Sequence, residues 1–529
     1  MDKKVYRVGT LMIIVMALIT AILQGNYFTS VAAGADRQPQ ITVIFLIGFL
    51  AVGLYVKGLL DGKMTQEKSL LYVVFLGMLM RVSYVLFMDI WTLQNDGGTF
   101  TGFGTPDIND GHIGYVEYIY KFFHIPDMDP YEYFGYYHPP LHHIIEAVWM
   151  TIQRLIGVPE VLAFENLQIP TLIYSGLCMI VMLHILEESG VKDKLLTLGM
   201  LLFAFHPRMM VLAGSVNNDI LALLLLLTTI WRTLVWIREK TFKNIILIAL
   251  SLGFGMISKL NTAICAFSIA LIFVIVLVDV IKKQNLVPIK STILQYVVFG
   301  VICIPIGLSY IVRNLILFGE KPGIPSPAII PNESVMYTGE YSVWSIIGIP
   351  SIADLHVAFP FHPLSAKAIH NTWVILFQTG LFAEAYPTTI GDFLLAFAQI
   401  AYVASIILAV ITTVVFIACY AVKVFKGAKE GTALRDLFLW STYVFMLLSF
   451  CLYVFKYPYT CSSDFRYMTA SLVFTSLGYV LLQKSGDEEK SVGDKTVKSV
   501  AAGVLRFVVN FCMAATLLCS LIVYMNWEI

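Results

Sequence analysis

The sequence predicts an all-α polytopic membrane protein, with about thirteen transmembrane helices and two large extracytoplasmic loops carrying interfacial helices. Three observations lead there. Hydrophobic residues make up 58% of the 529 and the mean hydropathy is +0.79. Charged residues reach only 13%, against roughly 25% in a soluble domain. Basic residues also recur in alternate loops, as the positive-inside rule requires. A formal net charge of zero gives no bulk attraction to nucleic acid. The cysteines Cys178, Cys265, Cys303, Cys419, Cys451, Cys461, Cys512 and Cys519 lie almost wholly within apolar runs and form no CxxC pair. Neither a disulfide framework nor a zinc knuckle follows.

The first domain, 1–90, holds apolar runs near 9–24, 41–60 and 69–90, read as three spans. Leu11 to Leu23 after Lys3, Lys4 and Arg7 has the form of a signal peptide ending near Ala32–Ala35, or of an uncleaved first helix, the reading preferred in a chain so rich in spans. Lys57, Lys63 and Lys68 put the next loop in the cytoplasm, so the domain 91–165 is the first extracytoplasmic loop. If 139–157 crossed the membrane, Lys192 and Lys194, then Arg238, Lys240 and Lys243, then Lys282, Lys283 and Lys290 would all fall outside. It is therefore kept at the outer face. The domain 166–312 then reads as spans near 166–186, 195–213, 218–237, 244–258, 260–281 and 293–312, the fourth short for about 20 residues. The domain 313–392 is a second outer loop, rich in Pro and Gly from Lys321 to Pro331, with an interfacial helix around Trp373–Phe382. Spans near 393–422, 435–455, 467–483 and 502–525 make up the C-terminal domain, 393–529.

The stretch from Asp107 to His143 is the one long polar and aromatic interval. Asp107, Asp110, Glu117, Asp127, Asp129 and Glu132 make it acidic, and Tyr115, Tyr118, Tyr131, Tyr133, Tyr136 and Tyr137 could line a cleft or meet lipid headgroups. Ile113, Val116, Ile119, Tyr120 and Phe123 fall on one stripe of a helix lying flat at the interface, capped by Asp110. His138-Pro139-Pro140 suits the start of a second short helix, since proline lacks an amide hydrogen that the first turn cannot use.

This topology gathers Asp96, Asp107, Asp110, His112, His138, His142, His143, His206, Arg208, Asn217, Asn218, Asp219, Lys259, Arg313, Asn314, Lys456, Asp464 and Arg466 at the outer ends of helices. Carboxylates lie mostly in the first loop and cations at later helix ends, as expected where a base faces a hydroxyl and cations hold a phosphate leaving group. Blander readings stand beside this one. Asn217-Asn218-Asp219 is also an N-cap signature, and Arg313 and Arg466 also suit snorkelling to headgroups. His138, His142 and His143 have ligand-like spacing, but hydrogen bonding at a pocket rim explains them as well. No metal ligand is assigned and a divalent cofactor is left open. Arg81 sits mid-span, where a charge is normally paired inward.

An aspartate before Gly-His and an amphipathic helix, then His138-Pro139-Pro140-Leu141, resembles the polyprenyl-phosphate-sugar-dependent GT-C glycosyltransferases, particularly their protein O-mannosyltransferase-like branch (glycosyltransferase family 39). Ser215-Val216-Asn217-Asn218-Asp219, Arg313-Asn314 before Phe318-Gly319, and Phe465-Arg466-Tyr467 are similar to further features of that superfamily, so the likeness runs over about 80–480. The resemblance implies a GT-C-like fold and an inverting transfer of a sugar from a lipid-phosphate donor, without a covalent enzyme intermediate. It also implies a first-loop aspartate as base, either Asp110 or Asp96. Asp107, His112, His138, His142, His143, Asn218, Asp219, Lys259, Arg313, Asn314, Arg466 and Tyr467 are the expected substrate contacts. The chain departs from the protein mannosyltransferases in lacking their adjacent Asp-Glu pair and in having two more spans before the loop. The expected partners are a polyprenyl-phosphate-sugar donor, a lipid, glycan or protein acceptor, and the membrane, with no nucleic acid. A transporter or flippase of a lipid-linked glycan is the alternative, but it would favour midplane ionisable residues and two related halves. A scaffold subunit would not explain the carboxylates and cations.

The parity has a direct check. A cysteine placed at Lys192 is expected to resist an impermeant thiol reagent in intact cells and to react after permeabilisation; labelling from outside would overturn the topology.

Overall fold

Backbone amides in hydrocarbon have no water to bond, so a spanning segment satisfies them within its own helix. The apolar runs accordingly form helices. The computed structural model describes residues 3–31, 38–88, 90, 109–283, 286–319, 337–350, 370–383, 391–425, 432–492 and 497–526. Asp96 and Asp107 lie outside these.

The chain divides into two compact units, the first comprising Met1–His184, Met209–Ala263 and Val280–Ile329. It opens with α1 (Lys3–Val31), α2 (Gln38–Leu60) and α3 (Gln66–Phe87), followed by α4 (Gly111–Phe122), α5 (Leu141–Leu155) and α6 (Glu160–Glu165). Next come α7 (Gln168–Glu188), α8 (Lys194–Phe205), α9 (Pro207–Gly214), α10 (Asp219–Arg238), α11 (Phe242–Ser258), α12 (Ile264–Lys282) and α13 (Leu286–Phe318). Of these, α8 and most of α12 belong to the second unit. α10, α11 and α13 pack in sequence order, and α4 packs on α5. α2 stands apart, with only 6% of its spanning window buried.

Buried polar side chains tie the first unit together. Arg81 donates from Nε to Ser175 Oγ at 2.8 Å and from Nη1 to Gly77 O at 2.7 Å, while Ser175 Oγ bonds Met209 O at 2.8 Å. These are the inward partners expected for the mid-span arginine. Gln168 Nε2 donates to the carbonyls of Met88 (2.8 Å) and Gly214 (3.0 Å), and Gln168 Oε1 accepts from Gln24 Nε2 at 2.9 Å.

The second unit is Ile185–Arg208, Ile264–Asp279 and Ile330–Ile529. It adds α14 (Val343–Ile347), α15 (Thr372–Phe382), α16 (Asp392–Phe425), α17 (Ala433–Lys456), α18 (Ser471–Val492) and α19 (Val497–Met525), with 3-10 turns at Thr460–Ser463 and Phe465–Met468. α16 is its centre, touching α15, α17, α18 and α19.

Among the described residues, ten helices are long and apolar enough to span a membrane, or up to twelve if each of two bent pairs is one span. The bent pairs, α8 with α9 (51°) and the 3-10 turns with α18 (57°), occupy two of the expected thirteen spans. The first bend has a local cause: Pro207 pushes His206 into the extended region, φ −64° and ψ 129°. α11, at 17 residues, falls below the length of a span, so the span expected near 244–258 is found as a shorter apolar helix. α5 has 15 residues, so it reaches about 22 Å against the roughly 30 Å of a hydrocarbon core.

Close helix approach in the second unit depends on Gly478, where a Cβ would lie 2.1 Å from Thr412 O of α16. Gly478→Ala is therefore expected to force α18 and α16 apart and cost about 1–3 kcal/mol, read as an earlier thermal unfolding midpoint in detergent.

Candidate active site

The polar first loop folds around the start of α4. Gly135, at φ +85°, lets its backbone come so close that a Cβ would stand 3.0 Å from Gly111 C. There Gly111 N donates to Phe134 O at 2.7 Å. Tyr136 hydroxyl donates to Asn109 O at 2.7 Å, and Tyr310 hydroxyl of α13 donates to Tyr136 O at 2.7 Å. Asn109 Nδ2 donates to Glu117 Oε2 at 2.5 Å, and Glu117 also pairs with Lys121 at 2.6 Å. The residues on both sides of Asp110 are thus fixed by the loop at Phe134–Tyr136 and by α4, with α13 behind the loop.

Asp110 occupies the N-cap position of α4 in an extended conformation, but its side chain makes no capping hydrogen bond. The single interfacial stripe expected on this helix differs from what is found. Every residue from Gly111 to Ile119 is buried, because the loop that follows wraps the side meant for water and α5 covers another. Only the end, with Phe122 and Phe123, is exposed.

Three of the expected histidines form one stack. His112 Nδ1 lies 2.9 Å from His143 Nε2, so one imidazole donates and the other accepts. His138 stacks on His112 with centroids 4.9 Å apart, and Tyr115 stacks on His143 at 4.2 Å. His142 faces elsewhere: its Nδ1 is 3.8 Å from Glu146 Oε1, and both side chains are wholly buried. Among the described residues no group of three or more His, Cys, Asp or Glu side chains could hold a metal ion.

Asn218, Asp219 and Lys259 meet at the head of α10. Lys259 Nζ donates to Asp219 Oδ1, so the two buried charges cancel, and Asn218 Nδ2 donates to Ser258 O at 2.8 Å. The expected cap is made one residue early, by Asn217 Oδ1 accepting from Asp219 N at 3.0 Å. Arg313 is half-buried near the end of α13. It donates to Asn314 Oδ1 at 3.0 Å and to Pro126 O, and lies over the rings of Tyr310 and Phe318. Two hydrogen bonds of a five-donor guanidinium leave capacity for an anion.

Arg466 and Tyr467 belong to the second unit. There Arg208 Nη2 donates to Asp464 Oδ1 at 2.7 Å and Arg208 Nη1 to Thr379 O at 3.3 Å. The same carboxylate oxygen accepts Arg466 N at 2.7 Å. One buried carboxylate therefore orients the turn bearing Arg466, whose side chain reaches the Tyr467 hydroxyl at 3.4 Å. Glu146 is the residue sequence reasoning passed over. The signal was present as a glutamate four positions after His142 on a helix, the spacing that places both on one face.

Burial shifts His142 down to about 3 and holds the Glu146 carboxyl well above its ordinary 4.5. The signs are opposite. The unfolded chain protonates His142 near 6.5, the folded protein only near 3, so this residue's share of stability is full above 6.5 and lost on acidification. The unfolded chain ionises Glu146 near 4.5 while the folded protein keeps the proton, so its share is full below 4.5 and lost as pH rises. His142→Gln is expected to flatten the acid limb of the unfolding midpoint between pH 6.5 and 3; an unchanged limb would show that His142 titrates normally.

Residues 138–307 match the family model described as dolichyl-phosphate-mannose-protein mannosyltransferase. The matched model is that of a glycosyltransferase family, the class expected from the sequence. No curated protein matches. Among solved structures, the chain is similar to the archaeal oligosaccharyltransferase AglB from Archaeoglobus fulgidus, in complex with an inhibitory peptide and a dolichol-phosphate. That likeness has a TM-score of 0.48 at 12% identity, over 86% of this chain and 56% of that one. The chain is also similar to apo ArnT from Cupriavidus metallidurans, with a TM-score of 0.31 at 16% identity, over 79% and 80% of the two chains. This chain thus spans about half the length of the oligosaccharyltransferase.

Proposed function

We propose, from the match of residues 138–307 to a mannosyltransferase family model, that the protein is an inverting glycosyltransferase using a polyprenyl-phosphate-linked sugar. That match carries the reading, since the segment includes His138, His142, His143, Asn218, Asp219 and Lys259. The acceptor is a hydroxyl of a lipid, glycan or protein, and the alternation of basic loops supports an extracytoplasmic site. Asp110 is the general base. Its carboxylate takes the acceptor's proton as that oxygen attacks C1 of the sugar from the face opposite the phosphate. The C1–O bond to phosphate breaks and its electron pair leaves with the polyprenyl phosphate. A positioned base of this kind contributes a hundredfold or more.

Arg313 holds the departing phosphate. Guanidinium matches phosphate through two parallel donors, and the carbonyl of Pro126 with Asn314 fixes its plane. Arg466 is a separate candidate for donor contact in the second unit, and Asp96 is the alternative base.

The test is purified protein with a synthetic polyprenyl-phosphate sugar, scored for transfer and hydrolysis. The Asp110 side chain makes no capping hydrogen bond and asparagine suits an N-cap position as well as aspartate, so Asp110→Asn should leave expression and donor binding intact while lowering turnover at least about 100-fold. Near-normal transfer would pass the base role to Asp96. Arg313→Ala should weaken donor binding by roughly tenfold to a hundredfold, and Arg466→Ala is measured beside it. Unchanged donor affinity in Arg313→Ala would remove that residue from the site.

A further inference from the structure

His142 and Glu146 stand one turn apart on α5, wholly buried, with Nδ1 and Oε1 separated by 3.8 Å. Among the described residues, neither imidazole nitrogen and neither carboxyl oxygen has a hydrogen-bond partner. Four such atoms would cost about 1–3 kcal/mol each if left unmade. The pair stands within about 1 Å of hydrogen-bond distance. Because ionising both would carry a desolvation cost that a lone pair rarely recovers, the bond is one between neutral groups, the carboxyl donating to the imidazole.

The charged and titratable surroundings agree. Tyr174 of α7 faces Glu146, and Asp219 of α10 faces His142 with its charge engaged by Lys259. His112 and His138 face the neighbouring His143. The next residue after His142 is thus the one whose Nε2 meets His112 Nδ1 at 2.9 Å, two positions from Asp110. A shift in the first turn of α5 would separate the histidines joining it to the head of α4.

We propose that Glu146 is a positioning residue for the transfer reaction: its carboxyl hydrogen-bonds His142, setting the first turn of α5 so that His143 holds His112 beside Asp110. This rests on the glycosyltransferase reading above. The pair acts through a bond, not through a proton that leaves, so an amide can replace the acid.

The test uses full-length protein in detergent, comparing Glu146→Leu with Glu146→Gln. The leucine variant is expected to lose on the order of tenfold to a hundredfold in kcat, with KM for the donor changed by no more than about twofold. The glutamine variant should restore kcat and abolish any alkaline loss of activity that comes from ionisation of Glu146. Unimpaired turnover in Glu146→Leu overturns the proposal, and so does a glutamine variant as impaired as the leucine one. Thermal unfolding of Glu146→Leu, His142→Phe and the double variant reads the bond without any substrate. Less-than-additive midpoint losses support it and additive losses overturn it, whether or not the wild-type protein transfers the sugar offered. Absence of transfer by wild type, with coupling intact, counts against the glycosyltransferase reading alone.

Discussion

The carboxylate of Glu117 is the point on which the ordered first loop depends. It is buried, so it must be matched, and it is matched twice, by Lys121 one turn on and by Asn109 before the helix. Asn109 is thereby committed through its side chain while its carbonyl takes the Tyr136 hydroxyl, and the Tyr136 carbonyl takes that of Tyr310. The run of contacts ends in the long helix α13, three residues before Arg313. A segment rich in acid and tyrosine acquires a fixed shape because Ile113, Val116 and Ile119 pack into a core while these polar groups find one another.

The second unit solves a different problem with similar means. Arg208 and Asp464 are 256 residues apart in the chain, and each would be intolerable alone in an apolar interior. Together they hold the Thr379 carbonyl of α15 and the amide of Arg466, so one ion pair organises a helix end and a 3-10 turn. The bend at His206-Pro207 brings Arg208 into the chain at the start of α9, where a straight span would have continued.

Hydropathy made the helices legible, because each span advertises itself over about 20 residues. The breaks were harder. A bend at Pro207 leaves the apolar count almost unchanged, and a window that averages hydropathy passes straight over it. The histidines and Asp219 were legible as polar residues in unusual company, and the stack of His112, His138 and His143 gathers three of them. What stayed hidden was pairing. Nothing near Lys259 in the sequence says that Asp219 will meet it, and the stripe on α4 could not reveal that the loop following it covers the remaining faces. Glu146 was missed because a single acid on a helix that also carries His142, His143, Gln153 and Arg154 looks like one more outward residue of an amphipathic pattern.

α2 has the opposite character to all of these. With 6% of its window buried and Phe49, Leu50 and Leu60 exposed at 70%, 64% and 83%, almost none of its side chains is shaped by a neighbour in the chain. Its specification is thermodynamic only: any apolar residues of suitable length satisfy the hydrocarbon around them equally. The identity of each residue there carries little structural information, whereas a single methyl group on Gly478 carries a great deal. Sequence divergence in such a protein would then be graded by helix, fastest where the bilayer is the main neighbour.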